Sequence, residues 1–173
     1  DHAYDLYNRL NETFRMEIDA SDMNSPGWKF NQYEMKGVPI RIELGPKDIE
    51  NGQCVMVRRD SGEKITVALT DVKETLARLL EEIQHAMYET ALKAREAKTS
   101  VALNMDEFKQ KLEQNPGFIK AMWCGSRECE DKIKEMTGAS LRCIPFEQAD
   151  LGSDQCVCCG EKTNKMAYFA RAY

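Results

Sequence analysis

The sequence predicts an α/β protein in two parts: a mixed sheet with flanking helices over residues 1–102, and a small α+β domain over 103–173 organised by cysteines. Three observations predict it. Alternating apolar and polar residues, bounded by glycine, proline and asparagine turns, run through 38–44 and 53–69. A long apolar repeat at three- and four-residue steps follows from Asp71. Six of the seven cysteines then fall between Cys124 and Cys159.

The elements follow in order. Residues 3–13 read as a helix with Tyr4, Leu6, Tyr7 and Leu10 inward, and 14–18 as a short alternating strand. Pro26-Gly27 is a turn, and 28–36 has helical length, with Trp28, Phe30, Tyr33 and Met35 as apolar anchors and Gly37 as its stop. Ile40 to Leu44 alternates as a half-buried strand does, so Arg41 and Glu43 leave one face together; Pro39 has to sit at its start and Gly45-Pro46 ends it. Residues 53–69 form a hairpin turning at Ser61-Gly62, which brings Arg58, Arg59 and Lys64 near its tip.

Asp71-Val-Lys-Glu74 reads as a capping box for a helix reaching Lys98, with Val72, Leu76, Leu79, Leu80, Ile83, Met87 and Leu92 on its apolar stripe. A second capping box, Asn104-Met-Asp-Glu107, opens a helix that Asn115-Pro116-Gly117 closes. Strands at 118–123, 140–144 and 166–170 and a helix over 127–136, closed by Thr137-Gly138, complete the second part.

Composition narrows the function. A mean hydropathy of −0.57 and 42% hydrophobic residues are those of an ordinary soluble protein. No 18-residue apolar run and no signal-peptide pattern is present, which predicts a cytoplasmic protein with no membrane partner. A formal charge of −5 argues against a general binder of DNA or RNA phosphates, so any nucleic-acid contact has to be local. The two histidines stand without a nucleophile in sequence reach and no glycine-rich phosphate cradle occurs, so no catalytic residue is expected.

Two constellations remain. Glu34, Arg41, Glu43, Lys47 and Asp48 interleave acid and base around one strand edge, a donor and acceptor mixture able to read an unpaired base; guanine fits, with N–H donors for a carboxylate and O6 for an arginine or lysine. Surface ion pairing is the plainer use of the same residues. Cys124-x4-Cys129 with Cys156-x2-Cys159 supplies four thiolates, enough for tetrahedral Zn²⁺ with no open position for chemistry. Reduced cysteines or a redox Cys-x-x-Cys are the other readings, while Cys54 and Cys143 are expected as small core residues.

Gly27-Trp-Lys-Phe-Asn31, the run from Glu34 to Glu43, Gly45-Pro-Lys-Asp48 and Val57-Arg-Arg-Asp60 resemble the anticodon-binding domain of prolyl-tRNA synthetases of the archaeal/eukaryote-like type. Cys124-Gly-Ser-Arg-Glu-Cys129, Ile144-Pro-Phe146 and the closing aromatic strand resemble that family's zinc-containing C-terminal domain. The resemblance implies a C-terminal fragment of a class II proline–tRNA ligase, inactive alone. ATP and Mg²⁺ belong to a catalytic domain of the same polypeptide, and the full-length enzyme is expected as a homodimer. It implies that Glu34, Arg41, Lys47 and Asp48 read two guanines of the tRNA(Pro) anticodon, with Arg58 and Lys64 on phosphates or a neighbouring base. It implies structural zinc on Cys124, Cys129, Cys156 and Cys159, and Tyr173 reaching toward the active site. In that family a strand precedes the first helix, and here no residues remain to supply it. A stand-alone zinc-stabilised RNA-binding or accessory interaction module is the alternative.

Overall fold

The computed structural model describes residues 2–172. They form two compact units, the first running to Glu89 and the second from Thr90. The sequence places the boundary at 102/103; the three-residue strand between these two points pairs in the second sheet.

In the first unit, β1 (Ile40–Glu43), β2 (Gln53–Arg58) and β3 (Lys64–Ala68) form an antiparallel sheet in the order β1-β2-β3. The parallel pairing expected of a mixed sheet occurs only in the second unit. Alternation gives the first sheet two unlike faces. Cys54, Met56 and Val67 point inward and pack with Leu6 and Leu10 of α1 (His2–Asn11) and with Val72, Leu76 and Leu79 of α4 (Val72–Ala97). Arg41, Glu43, Gln53, Lys64 and Thr66 alternate with these and leave the opposite, outer face.

Three expectations change here. Residues 14–18 alternate between half-buried and exposed, with Phe14 and Met16 against the core, yet they join no ladder among the described residues. Alternation secures a buried face; a strand also needs a neighbouring edge to bond. Tyr4 is exposed, because the stripe of α1 is set by Leu6 and Leu10 four apart. The stripe of α4 is buried only as far as Ile83, and Met87 lies exposed beyond it.

In the second unit the strands are β4 (Thr99–Val101), β5 (Phe118–Met122), β6 (Ala139–Cys143) and β7 (Met166–Arg171), in the order β4-β5-β7-β6. β4 is parallel to β5, and β7 lies antiparallel between β5 and β6. Helices α5 (Met105–Gln114) and α6 (Arg127–Thr137) close the core, where Phe108 and Phe169 meet edge to face with ring centres 5.6 Å apart. Gly117 is fixed by close approach: a Cβ there would lie 2.0 Å from the Lys98 carbonyl oxygen, which accepts from the Phe118 N–H. Cys54 is fully buried as expected, but Cys143, at the end of a strand with an exposed tail, faces solvent.

Candidate nucleic-acid interface and candidate metal centre

Helix α2 (Pro26–Met35) sets up the first site. Ser25 caps it by accepting from the Trp28 N–H, and Pro26 occupies its first turn. None of its residues is buried; Trp28 and Met35 are 51% and 82% exposed, so they are not the anchors the sequence suggested. Phe30 and Tyr33, half-buried, do the work. The Arg41 guanidinium lies over the Phe30 ring at 3.9 Å, and the Tyr33 hydroxyl donates to Glu17 Oε1 at 3.1 Å, fastening α2 to the extended segment before it. Burial first, then the bond to Glu17, pushes the Tyr33 hydroxyl up to about 12.

Arg41 is held from both sides. Its Nη1 donates to Glu34 Oε1 at 2.7 Å and its Nε to Glu43 Oε1 at 2.9 Å. One guanidinium between two carboxylates carries a surplus negative charge, which repels phosphate and calls for a ligand rich in N–H donors. Glu34 is the more exposed of the two carboxylates and faces outward. Tyr33, Glu34, Arg41, Val57, Arg58 and Arg59 line a small cleft here.

The other expected residues divide. Lys64 stands opposite Val57, itself opposite Arg41, and so lies in the same row of the outer face. Lys47 is exposed on α3 (Pro46–Glu50), a single turn that the sequence reading took for a loop. Asp48 Oδ2 accepts from the Gly45 N–H at 3.0 Å and Oδ1 from Gln53 Nε2 at 3.4 Å. Gln53 is four residues from Val57 along β2, so its backbone lies about 13 Å along the strand from the row that holds Arg41. The structure thus joins Glu34 and Arg41 and sets Asp48 apart from them on the same face.

Arg58 goes elsewhere. It pairs with Ile40 across the ladder, so it points to the face that packs on α4, where Asp60 (2.8 Å), Glu82 (3.6 Å) and Glu63 (4.0 Å) surround it. The bond to Arg58 holds the Asp60 carboxyl below the usual carboxylate range. Arg59 has the opposite parity, is exposed, and its guanidinium has no partner among the described residues. Sequence reasoning took the two arginines as a pair; strand alternation was the signal that separates them.

In the second unit, the Sγ atoms of Cys124, Cys129, Cys156 and Cys159 lie within 4.8 Å of one another, with Cys124 and Cys159 at 3.8 Å. A tetrahedron with metal–sulfur bonds of about 2.3 Å has edges of about 3.8 Å, so the four can hold a metal ion. Local folding explains the approach. Cys124 lies two residues beyond the end of β5; Gly125, with φ 92°, turns the chain; Ser126 caps α6 by accepting from the Glu128 N–H; and Cys129 sits in the first turn, at the positive end of the helix. Across from it, the Gly160 N–H donates to the Cys156 carbonyl at 2.9 Å, closing a knuckle that the Val157 N–H ties to Met122 of β5. Burial works against a Cys156 thiolate, but N–H donation from Cys159, Cys158 and Cys124 outweighs it and brings the thiol down to about 7. Burial and the neighbouring thiols push the Cys129 thiol up. Cys158 packs against the core and is not one of the four.

Comparison with known proteins follows the same division. Residues 1–79 match the family described as an anticodon binding domain, and residues 105–173 that described as "Prolyl-tRNA synthetase, C-terminal". The chain is thus similar, along nearly its whole length, to the C-terminal part of prolyl-tRNA synthetases, and its first part to an anticodon binding domain. Relatives named proline–tRNA ligase include those of Oceanobacillus iheyensis (54% identical over 100% of this chain and 36% of the relative), Clostridium botulinum strain Langeland (53%, 99% and 35%) and Ruminiclostridium cellulolyticum (51%, 99% and 35%). The chain therefore spans about a third of the length of the synthetases it matches. All three organisms are bacteria. No helix among the described residues is long and apolar enough to cross a membrane. Tyr173, the synthetase-like terminal residue, lies outside the described residues.

Proposed function

We propose that the first unit reads the two guanines of the proline anticodon and that the second is a zinc-stabilised domain of the same proline–tRNA ligase. The observation that carries this reading is the Arg41 guanidinium held over the Phe30 ring, 3.9 Å from its centre, between Glu34 and Glu43. A surplus carboxylate beside a fixed arginine offers guanine an acceptor for N1–H and N2–H and a donor for O6. Glu34 and Arg41 form one contact and Lys47 and Asp48 another. Lys64 supports the backbone from the same face. The geometry favours Arg59 over Arg58 as the second basic contact, since Arg58 is already enclosed by three carboxylates.

The metal is proposed as Zn²⁺, on the four-sulfur donor set and its closed first shell. Cys124, Cys129, Cys156 and Cys159 would hold it, and its role would be structural. The terminal cysteine-rich domain supports the archaeal/eukaryote-like type even in bacterial relatives. Aminoacylation with ATP and Mg²⁺ is assigned to the rest of the ligase, as are the homodimer contact and the site that Tyr173 would approach; a cytoplasmic location goes with that function.

Filter binding of this chain to tRNA(Pro) and to the same tRNA with each anticodon guanine replaced tests the proposal. Preference for the GG anticodon is expected, at about tenfold or more per guanine. Equal binding of all three RNAs would reject it.

A further inference from the structure

Asp48 is a carboxylate with two jobs. Its Oδ2 is spent on the Gly45 N–H at 3.0 Å, which closes the turn into α3, and a Cβ at position 45 would approach that oxygen to 3.2 Å. The turn alone would leave the other oxygen free to rotate with the side chain. Gln53 prevents this by donating from Nε2 to Oδ1 at 3.4 Å. It does so from the outer face of β2, the face that also carries Arg41 and Glu43. Each carboxylate oxygen accepts two hydrogen bonds, so Asp48 keeps one acceptor position on each oxygen after both contacts. Two parallel acceptors are what the N1–H and N2–H edge of a guanine requires.

We infer that Gln53 is a positioning residue for specificity: it pins Asp48 so that its remaining lone pairs face the second anticodon guanine, at a station separate from the one Glu34 and Arg41 form. The inference rests on the anticodon reading proposed above. Four residues of β2, about 13 Å of backbone, separate Gln53 from the row of Arg41, which gives each guanine its own set of protein groups. Gln53 itself, a neutral amide, adds no charge that would attract phosphate. Its effect therefore shows in the choice of base and not in salt dependence.

The experiment is binding of the chain to proline anticodon stem-loops carrying guanine or inosine at each of the two positions. Inosine lacks the 2-amino group and leaves one carboxylate acceptor unused. The unmodified protein should lose about tenfold in affinity for inosine at either position. Gln53→Ala should abolish the penalty at one position only and leave the other intact, with Asp48→Asn abolishing it at the same position and Glu34→Gln at the other. Gln53→Ala affecting both positions equally, or neither, would overturn the positioning role while Asp48→Asn and Glu34→Gln still separated the stations. If those two variants also left both penalties unchanged, the anticodon reading itself would fall, and the role of Gln53 with it. Amide exchange of the Gly45 and Gln53 backbone reports whether the turn stays folded in each variant, and Gln53→Glu, which sets a second carboxylate against Asp48, should weaken the same position without restoring it.

Discussion

The outer face of the first sheet and the cysteine cluster of the second unit use charge in opposite ways. Around Arg41, charges stay half-exposed and face each other over 2.7 to 2.9 Å, each contact worth little in stability because water competes for it. Around Cys129, four sulfurs lie within 4.8 Å of one another beside a core that contains Phe108 and Ile133, with Cys129 and Cys156 buried and Cys159 exposed. The contrast lies in how the groups are satisfied: opposite charges pair with one another around Arg41, whereas the four sulfurs are donors of one kind that can hold a metal ion.

The largest effect should come from breaking the closed centre. Cys129→Ser removes one of four sulfur ligands, and structural zinc supplies about 10–16 kcal/mol of apparent binding energy in small metal domains, so even partial loss is severe. Metal content should fall, and amide protection should collapse over residues 90–173 while β1 to β3 keep theirs. Equal loss of guanine preference in this variant would show that the two regions are not separable. Next in size, Arg41→Ala should cost about 1–3 kcal/mol of binding to the proline anticodon loop and relax its base preference. Its melting temperature should shift little, because water reaches the half-exposed carboxylates it pairs with.

Arg58 sharpens the comparison from inside one sheet. Arg58→Gln leaves Asp60, Glu63 and Glu82 facing each other and should cost about 1–2 kcal/mol of stability with no change in base preference. Its pH signature has a fixed sign. Asp60 is depressed in the folded state, so its contribution is present above the unfolded carboxylate value near 3.9 and is lost as pH falls through the lower folded value. Thermal unfolding between pH 6 and 2 should show an acid limb that Arg58→Gln flattens. An unchanged limb would mean that Asp60 owes its ionisation to other groups.

Much of this was legible in the residues. The capping boxes at Asp71 and Asn104 and the alternation from Ile40 gave the helices and the hairpin close to their observed ends. What escaped was short or depended on partners far away in sequence. Thr99-Ser-Val101 has three residues and directly follows a helix, too few to show a period, and becomes a strand only because β5 lies alongside. The turn of α3 hides behind Gly45-Pro46, which reads as a break when it is a helix start. Phe14 to Ile18 has the pattern of a strand without a described neighbour. The spacing within Cys124/Cys129 and within Cys156/Cys159 was readable, but the approach of the two pairs depends on the tie of Val157 to Met122, as the separation of Arg41 from the Gln53–Asp48 contact depends on the register of β1 with β2.

The smallest effect belongs to Arg59, and it separates base reading from backbone contact. Arg59 is exposed on the cleft that Glu34 and Arg41 share, with no carboxylate of its own among the described residues, so it is free to meet a phosphate. A phosphate contact releases counterions on binding, and for single-stranded RNA each contributes about 0.7 to the slope of log affinity against log salt. Arg59→Ala should lower that slope by about this amount and weaken GG and non-GG loops alike, leaving their ratio untouched. Arg41→Ala should do the reverse, changing the ratio and leaving the slope nearly as it was, because the surplus carboxylate beside Arg41 keeps phosphate away. If the two variants moved slope and ratio together, the outer face would be one diffuse basic patch and the division of labour along β1 and β2 would not exist.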